Sequence, residues 1–305
     1  MNRKSSIGLI VVVVGVAAVL VFVRYRGSAG GTSGGDDGLR PVREITHGHG
    51  LAVDAADPAK LYIATHHGLF VLVGERDLFR VGRSQDDLMG FSPHPSNAQV
   101  FLSSGHPRAG GNMGVQRSDD GGITWTRIAS GARGPVDFHA MAVSPANADL
   151  LYGWYAGALQ RSTDGGRNWE ALPASLSGVI RLAADPERVN VVYAATTDGL
   201  LVSADRGATW THASEALRGI AVAAIAVFPD LPQEMLTFSE KFGLAKSSDG
   251  GATWAATAEQ FEGEAVLFIA TARARPDTVY ALTERNNIFR STDRGERWER
   301  VNITE

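Results

Sequence analysis

Residues 118–125 read Ser118-Asp119-Asp120-Gly121-Gly122-Ile123-Thr124-Trp125, and this stretch decides the fold. Its pattern, Ser-x-Asp-x-Gly-x-Thr-Trp, returns with small changes at 162–169 (STDGGRNW), 203–210 (SADRGATW), 247–254 (SSDGGATW) and 291–298 (STDRGERW). The closing residues Trp125, Trp169, Trp210, Trp254 and Trp298 lie 44, 41, 44 and 44 positions apart. A fixed period in this range means a repeat architecture, one supersecondary unit per repeat. Chemically, the box reads as a tight turn between two strands. The aspartates Asp120, Asp164, Asp205, Asp249 and Asp293 can accept hydrogen bonds from backbone N–H groups of their own turn. The glycine supplies a positive φ, and the tryptophan buries a large ring while its N–H finds a carbonyl. A calcium or sugar site is the functional alternative; a structural turn accounts for every element of the pattern.

Working outward, residues 191–210 (VVYAATTDGLLVSADRGATW) give an apolar strand, a short turn at Thr197-Asp198-Gly199, a second strand, the box and the start of another strand. Upstream, residues 181–184 supply a first strand closed by Asp185-Pro186, so each repeat is a four-stranded meander. The same frame fits residues 61–71, where the box has decayed to 74–79 (GERDLF) with Phe79 in the tryptophan position. Phe79 lies 46 residues before Trp125, so a sixth repeat exists. First strands such as 140–143 (AMAV) and 221–224 (AVAA) are rich in small residues, which suits the crowded inner edge of a wedge-shaped blade.

The boxes resemble the Asp-box (BNR) repeat found in sialidases, xyloglucan-cleaving glycosidases, sortilin-type receptors and the photosystem II assembly factor. The resemblance covers roughly residues 40–305 and implies an all-β, six-bladed β-propeller of four-stranded antiparallel blades. It does not choose among enzyme, receptor and assembly factor, because function resides in the site and not in the fold.

A propeller carries a positional rule. The entry to each blade and the turn between its second and third strands open on one face, and the box turns open on the other. The resemblance implies that any active site lies on the face away from the boxes. His47, His49, His66, His67, His106 and His139 all fall on that face in three consecutive blades. Only His94 and His212 fall elsewhere. Imidazole ligates zinc, copper, nickel and iron, so His47, His49, His66 and His139 are the first candidates for a transition-metal site, zinc or copper, with His67 and His106 in reserve. Asp87 and Asp137 can serve as ligands or hold the rings. The alternative is a polar pocket using the same imidazoles for hydrogen bonding or acid–base work.

A sialidase-like glycoside hydrolase is the rival reading. The Arg-Ile-Pro type motif is not found, and Arg40-Pro41 is a faint echo. Arg108, Arg181 and Arg285, with Tyr155 and Glu240, are the substitutes on the correct face, and Asp87, Asp137, Glu240 and Glu284 are the carboxylates a two-carboxylate hydrolase would draw on. The catalytic candidates are therefore Asp87, Asp137, Tyr155 and Glu240. Trp154 reads equally as a sugar platform or a packing aromatic.

Composition bounds the rest. The 305 residues carry a net charge of −4, which gives no reason to expect nucleic acid. The absence of cysteine removes disulfides and thiolate chemistry. Residues 7–23 (IGLIVVVVGVAAVLVFV) are 17 uncharged positions flanked by Arg3, Lys4, Arg24 and Arg26. Residues 1–26 are thus expected to be a hydrophobic helix acting as signal-anchor, or a cleaved signal peptide that would leave the protein secreted. Residues 27–38 are a Gly/Ser-rich linker and 39–305 the propeller. The expectation is a membrane-tethered, extracytoplasmic propeller that recognises a protein, a glycan or a metal. A glycoside hydrolase or an assembly factor is the alternative.

Overall fold

Each box joins the third and fourth strands of a blade. In blade four the strands Val179–Ala184, Val192–Thr196, Gly199–Ser203 and Thr211–His212 lie side by side and antiparallel. Ser203 Oγ accepts the Gly207 N–H at 2.8 Å and donates to Asp205 Oδ1 at 2.7 Å. Asp205 also accepts the Thr209 N–H at 2.9 Å and the Thr209 hydroxyl at 2.5 Å. Trp210 Nε1 donates to the Gly207 carbonyl at 3.0 Å. The same bonds recur at Asp120, Asp164, Asp249 and Asp293. At Asp120, Asp164, Asp205 and Asp249 both carboxylate oxygens are engaged within the turn, as a structural role requires; at Asp293 the turn engages Oδ1.

The computed structural model describes residues 38–258 and 261–304. These form the expected all-β, six-bladed propeller of four-stranded antiparallel blades. The N-terminal helix and most of the linker expected before it, residues 1–37, lie outside the described residues. Among the described residues no helix is long and apolar enough to cross a membrane.

The first strands of the six blades are Gly48–Val53, Asp87–Pro93, Ala140–Ser144, Val179–Ala184, Val222–Val227 and Val266–Thr271. They surround an axial channel of about 310 Å³. The core is divided into six wedges, each between adjacent blades. Each box tryptophan packs into the wedge shared with the preceding blade; Trp125, for example, meets Leu69 and Val81 of blade one. Gly122 holds φ at +91°, and a Cβ there would stand 2.3 Å from Leu69 Cδ2, so the box turn touches the neighbouring blade too closely for any side chain.

Blade one departs from the sequence reading twice. A fifth strand, Leu39–Pro41, pairs antiparallel with Asp77–Val81 on the outer edge. The register also moves the tryptophan position from Phe79 to Leu78. Val71 pairs with Phe79 as Val202 pairs with Thr211, so Leu78 corresponds to Trp210. Leu78 accordingly faces the wedge between blades six and one, and Phe79 faces blade two. Period 2 in a strand means that a slip of one residue exchanges the two faces.

Ring closure uses side chains and the C-terminal segment, because blades one and six each draw all their strands from their own end of the chain. Val301 and Ile303 pack into the closing wedge with Leu61, Ile63 and Leu78. The Thr304 N–H donates to the Arg76 carbonyl at 2.9 Å. The Tyr280 hydroxyl donates to Glu75 Oε1 at 2.7 Å and to the Pro58 carbonyl at 3.0 Å, and Glu75 pairs with Arg290.

Candidate metal centre at the histidine-bearing mouth

The repeat register places the histidines. His49 lies in the first strand of blade one and His66 in the turn after Lys60–Thr65. The side chain of Asp87, at the start of blade two, reaches His66, and its backbone pairs with His106 across the strands. His139 precedes the first strand of blade three and sits in the same register as His49. Strong local bonds fix these entries. Phe138 N–H donates to Ser104 Oγ at 2.9 Å, which holds Asp137 and His139 on either side of a buried residue. The Arg108 N–H donates to Asp86 Oδ1 at 3.0 Å, tying the loop before Asp87 to the long loop of blade two.

Two groups result. In the first, His47, His49 and His66 bring one ring nitrogen each within 4.8 Å of one another. The Nε2 atoms of His49 and His66 are 3.0 Å apart, and His66 Nδ1 lies 2.6 Å from Asp87 Oδ2. The Asp87 carboxylate accepts the Nδ1 proton of His66, and Nε2 of the same ring faces His49. This carboxylate–imidazole arrangement fixes the tautomer of a metal-binding histidine. The remaining oxygen, Asp87 Oδ1, is buried without a hydrogen-bond partner, 3.7 Å from His49 Nε2.

In the second group, Asp137 Oδ2 is 2.7 Å from His106 Nε2 and 2.6 Å from His139 Nε2. His106 Nδ1 lies 2.9 Å from the Gly111 carbonyl, to which it donates. Its Nε2 faces the Asp137 carboxylate. Asp137 is 2% exposed and its Oδ1 has no partner.

Electrostatics separates the two groups. Burial, then the neighbouring His66, pushes His49 down to about 3, and the same two causes lower His47. Both rings are neutral at physiological pH, the protonation state a metal ligand needs. Burial would raise Asp87, but its bond to His66 and the surrounding imidazoles hold it below the usual carboxylate range. His139 moves the other way, raised by its hydrogen bond to Asp137.

Of the sequence candidates, His47, His49 and His66 converge, and Asp87 stands behind them. His139 does not join them: its partners are Asp137 and His106, because blade three stands too far around the ring to share a point with blade one. His67 is exposed and outside both groups. Tyr155 is engaged by Asn112, whose Nδ2 donates to the phenol at 2.8 Å. Glu240 is exposed in the corresponding turn of blade five, away from the two groups. Trp154 donates to the Leu176 carbonyl at 2.8 Å and packs in the wedge with blade four, so it is a packing aromatic and not a platform. His94 and His212 lie away from this mouth, as the frame expects.

Sequence reading undervalued Arg181. It lies in the channel, in register with Gly50, Ala140 and Ala224 of other blades. A charge at a position held by Gly50, Ala140, Ala224 and Phe268 in other blades was the available signal.

A model of the BNR/Asp-box repeat matches residues 116–127. No curated protein sequence matches the chain. Among solved structures it is similar to the GH74 xyloglucanase from Xanthomonas campestris, at 18% identity over 86% of this chain and 46% of that one, with a TM-score of 0.62. It is similar to YCF48 bound to D1 peptide, at 15% identity, 86% and 85% coverage and a TM-score of 0.54. It is also similar to an auxiliary nutrient binding protein from Bacteroides thetaiotaomicron, at 12% identity, 85% and 70% coverage and a TM-score of 0.55. The chain spans less than half the length of the xyloglucanase. At these identities the likeness establishes the fold alone. The matched repeat, its four further copies and the blade architecture agree: the chain carries Asp-box (BNR) repeats on a six-bladed β-propeller.

Proposed function

We propose that this propeller is a recognition module whose histidine-bearing mouth holds a transition-metal ion, zinc or copper. His47, His49 and His66 are the ligands and Asp87 orients His66. The observation that carries this reading is the pair of Nε2 atoms on His49 and His66, 3.0 Å apart, with Asp87 accepting the proton on the far side of His66. Three convergent imidazoles suit a tetrahedral ion that keeps a position for an incoming group. Protein or small-ligand binding is supported by analogy with YCF48 bound to D1 peptide and with the nutrient binding protein, which share the fold. Residues 7–23 are proposed as a membrane tether with the propeller on the extracytoplasmic side, periplasmic or extracellular; protease digestion of cells stripped of any outer membrane that left the propeller untouched would count against that placement.

The test is a calorimetric titration of tag-free, chelator-stripped protein with zinc and with copper, beside His49→Ala/His66→Ala. Saturable binding in the parent that disappears in the double variant supports the reading. Absence of binding in the parent, or equal binding in the variant, rejects it.

A further inference from the structure

The axial channel is lined by the first strands of all six blades, and its walls are mainly apolar, with Leu51, Met141, Leu182, Ile225 and Ile269 among them. One ion crosses it near the histidine-bearing mouth. Arg181 extends from blade four to blade six, where its guanidinium carbon stands 3.8 Å from the centre of the Phe268 ring. Its Nε donates to the Leu267 carbonyl at 3.3 Å and its Nη1 to the Ile180 carbonyl at 2.7 Å. The small side chains at Ala140 and Ala224, in the same layer, leave the space it occupies. No carboxylate pairs with Arg181 among the described residues. Burial alone pulls its pKa down, to about 10, with no opposite charge to offset it.

A half-buried cation without a counter-ion is costly, and it persists where function uses it. The guanidinium is anchored by one carbonyl at Nε, by a second at Nη1, and on one face by an aromatic ring. Nη2 accordingly remains available to donate a charge-assisted hydrogen bond to an oxyanion. Between Arg181 and the far mouth, where Arg273 and His94 stand, the walls offer a ligand mainly apolar surface in a volume suited to a small molecule.

We propose that the channel binds a small monocarboxylate with an apolar tail, the carboxylate on Arg181 and the tail along the apolar walls. The histidines are neighbours and not requirements: His49 and His139 line the same mouth, and both feel the charge of Arg181. The site therefore stands or falls apart from the metal.

The test uses octanoate, octan-1-ol and acetate as probes, titrated into the full chain in the presence of chelator, so that loss of the metal site and loss of this one are read separately. Octanoate is expected to bind at one site, about tenfold or more tighter than octan-1-ol, which has the tail without the charge. It should likewise bind tighter than acetate, which has the charge without the tail. Arg181→Leu keeps the channel apolar and should weaken octanoate about tenfold or more. Ala224→Leu keeps the arginine and fills the space beside it, and should also weaken octanoate. Circular dichroism establishes that each variant is folded. No binding of octanoate, equal binding of octan-1-ol or acetate, or undiminished binding by folded Arg181→Leu would overturn the proposal.

Discussion

His66 is held between two partners, with Nδ1 2.6 Å from Asp87 Oδ2 and Nε2 3.0 Å from His49 Nε2. The carboxylate sets the tautomer, and the tautomer sets what the second nitrogen can do. Asp87→Asn offers a weaker acceptor and releases that constraint. Metal affinity is expected to fall about 10- to 100-fold without loss of the fold, measured by competition with a chromogenic chelator.

The two histidines in equivalent register titrate in opposite directions. His49 takes up its proton at 6.5 in the unfolded chain and only near 3 when folded. Between those values the unfolded chain binds more protons, so stability rises with pH. In chelator, the loss on moving from pH 7.5 to pH 5 is expected to be on the order of 2 kcal/mol from this residue, seen as a lower urea midpoint. His49→Gln should flatten that slope. His139, raised by Asp137, contributes stability present below pH 6.5 and lost as pH rises through its folded value. His139→Gln should therefore steepen the acid loss. Identical slopes for the two variants would contradict the assignment.

Box packing predicts a local penalty at glycine. Gly122→Ala must hold φ at +91° and place a methyl group against Leu69. Destabilisation of about 1–3 kcal/mol is expected by urea unfolding.

Ring closure is testable at Tyr280. Tyr280→Phe removes the hydroxyl bonded to Glu75 and to the Pro58 carbonyl. A loss of about 1–2 kcal/mol is expected. Because the bond joins blade six to blade one, hydrogen exchange should quicken in those two blades before the others.

The sequence made the blades legible because the box is a chemical device with a fixed length. Ser, Asp, Gly and Trp each satisfy one need of the turn, so their spacing carries the strand order with it. The register of blade one was not legible. Without a tryptophan, Leu78 and Phe79 are both apolar and only backbone pairing separates them. The three-residue strand Leu39–Pro41 is too short to leave a pattern. At the mouth, the repeat frame assigned the correct face to His47, His49, His66, His106 and His139. It carried no information on reach around the ring, so the division between blade one and blades two and three emerged only from the structure. Arg181 was visible as a charge on a strand, and its crossing to Phe268 depends on small neighbours in other repeats.

The most direct measurement is X-ray absorption at the metal edge of tag-free protein loaded with one equivalent of zinc. Three imidazole nitrogens at about 2.0 Å are expected, falling to one on His49→Ala/His66→Ala or accompanied by loss of the metal. A shell of oxygens with no imidazole scattering, or a spectrum unchanged in the double variant, would contradict the metal centre.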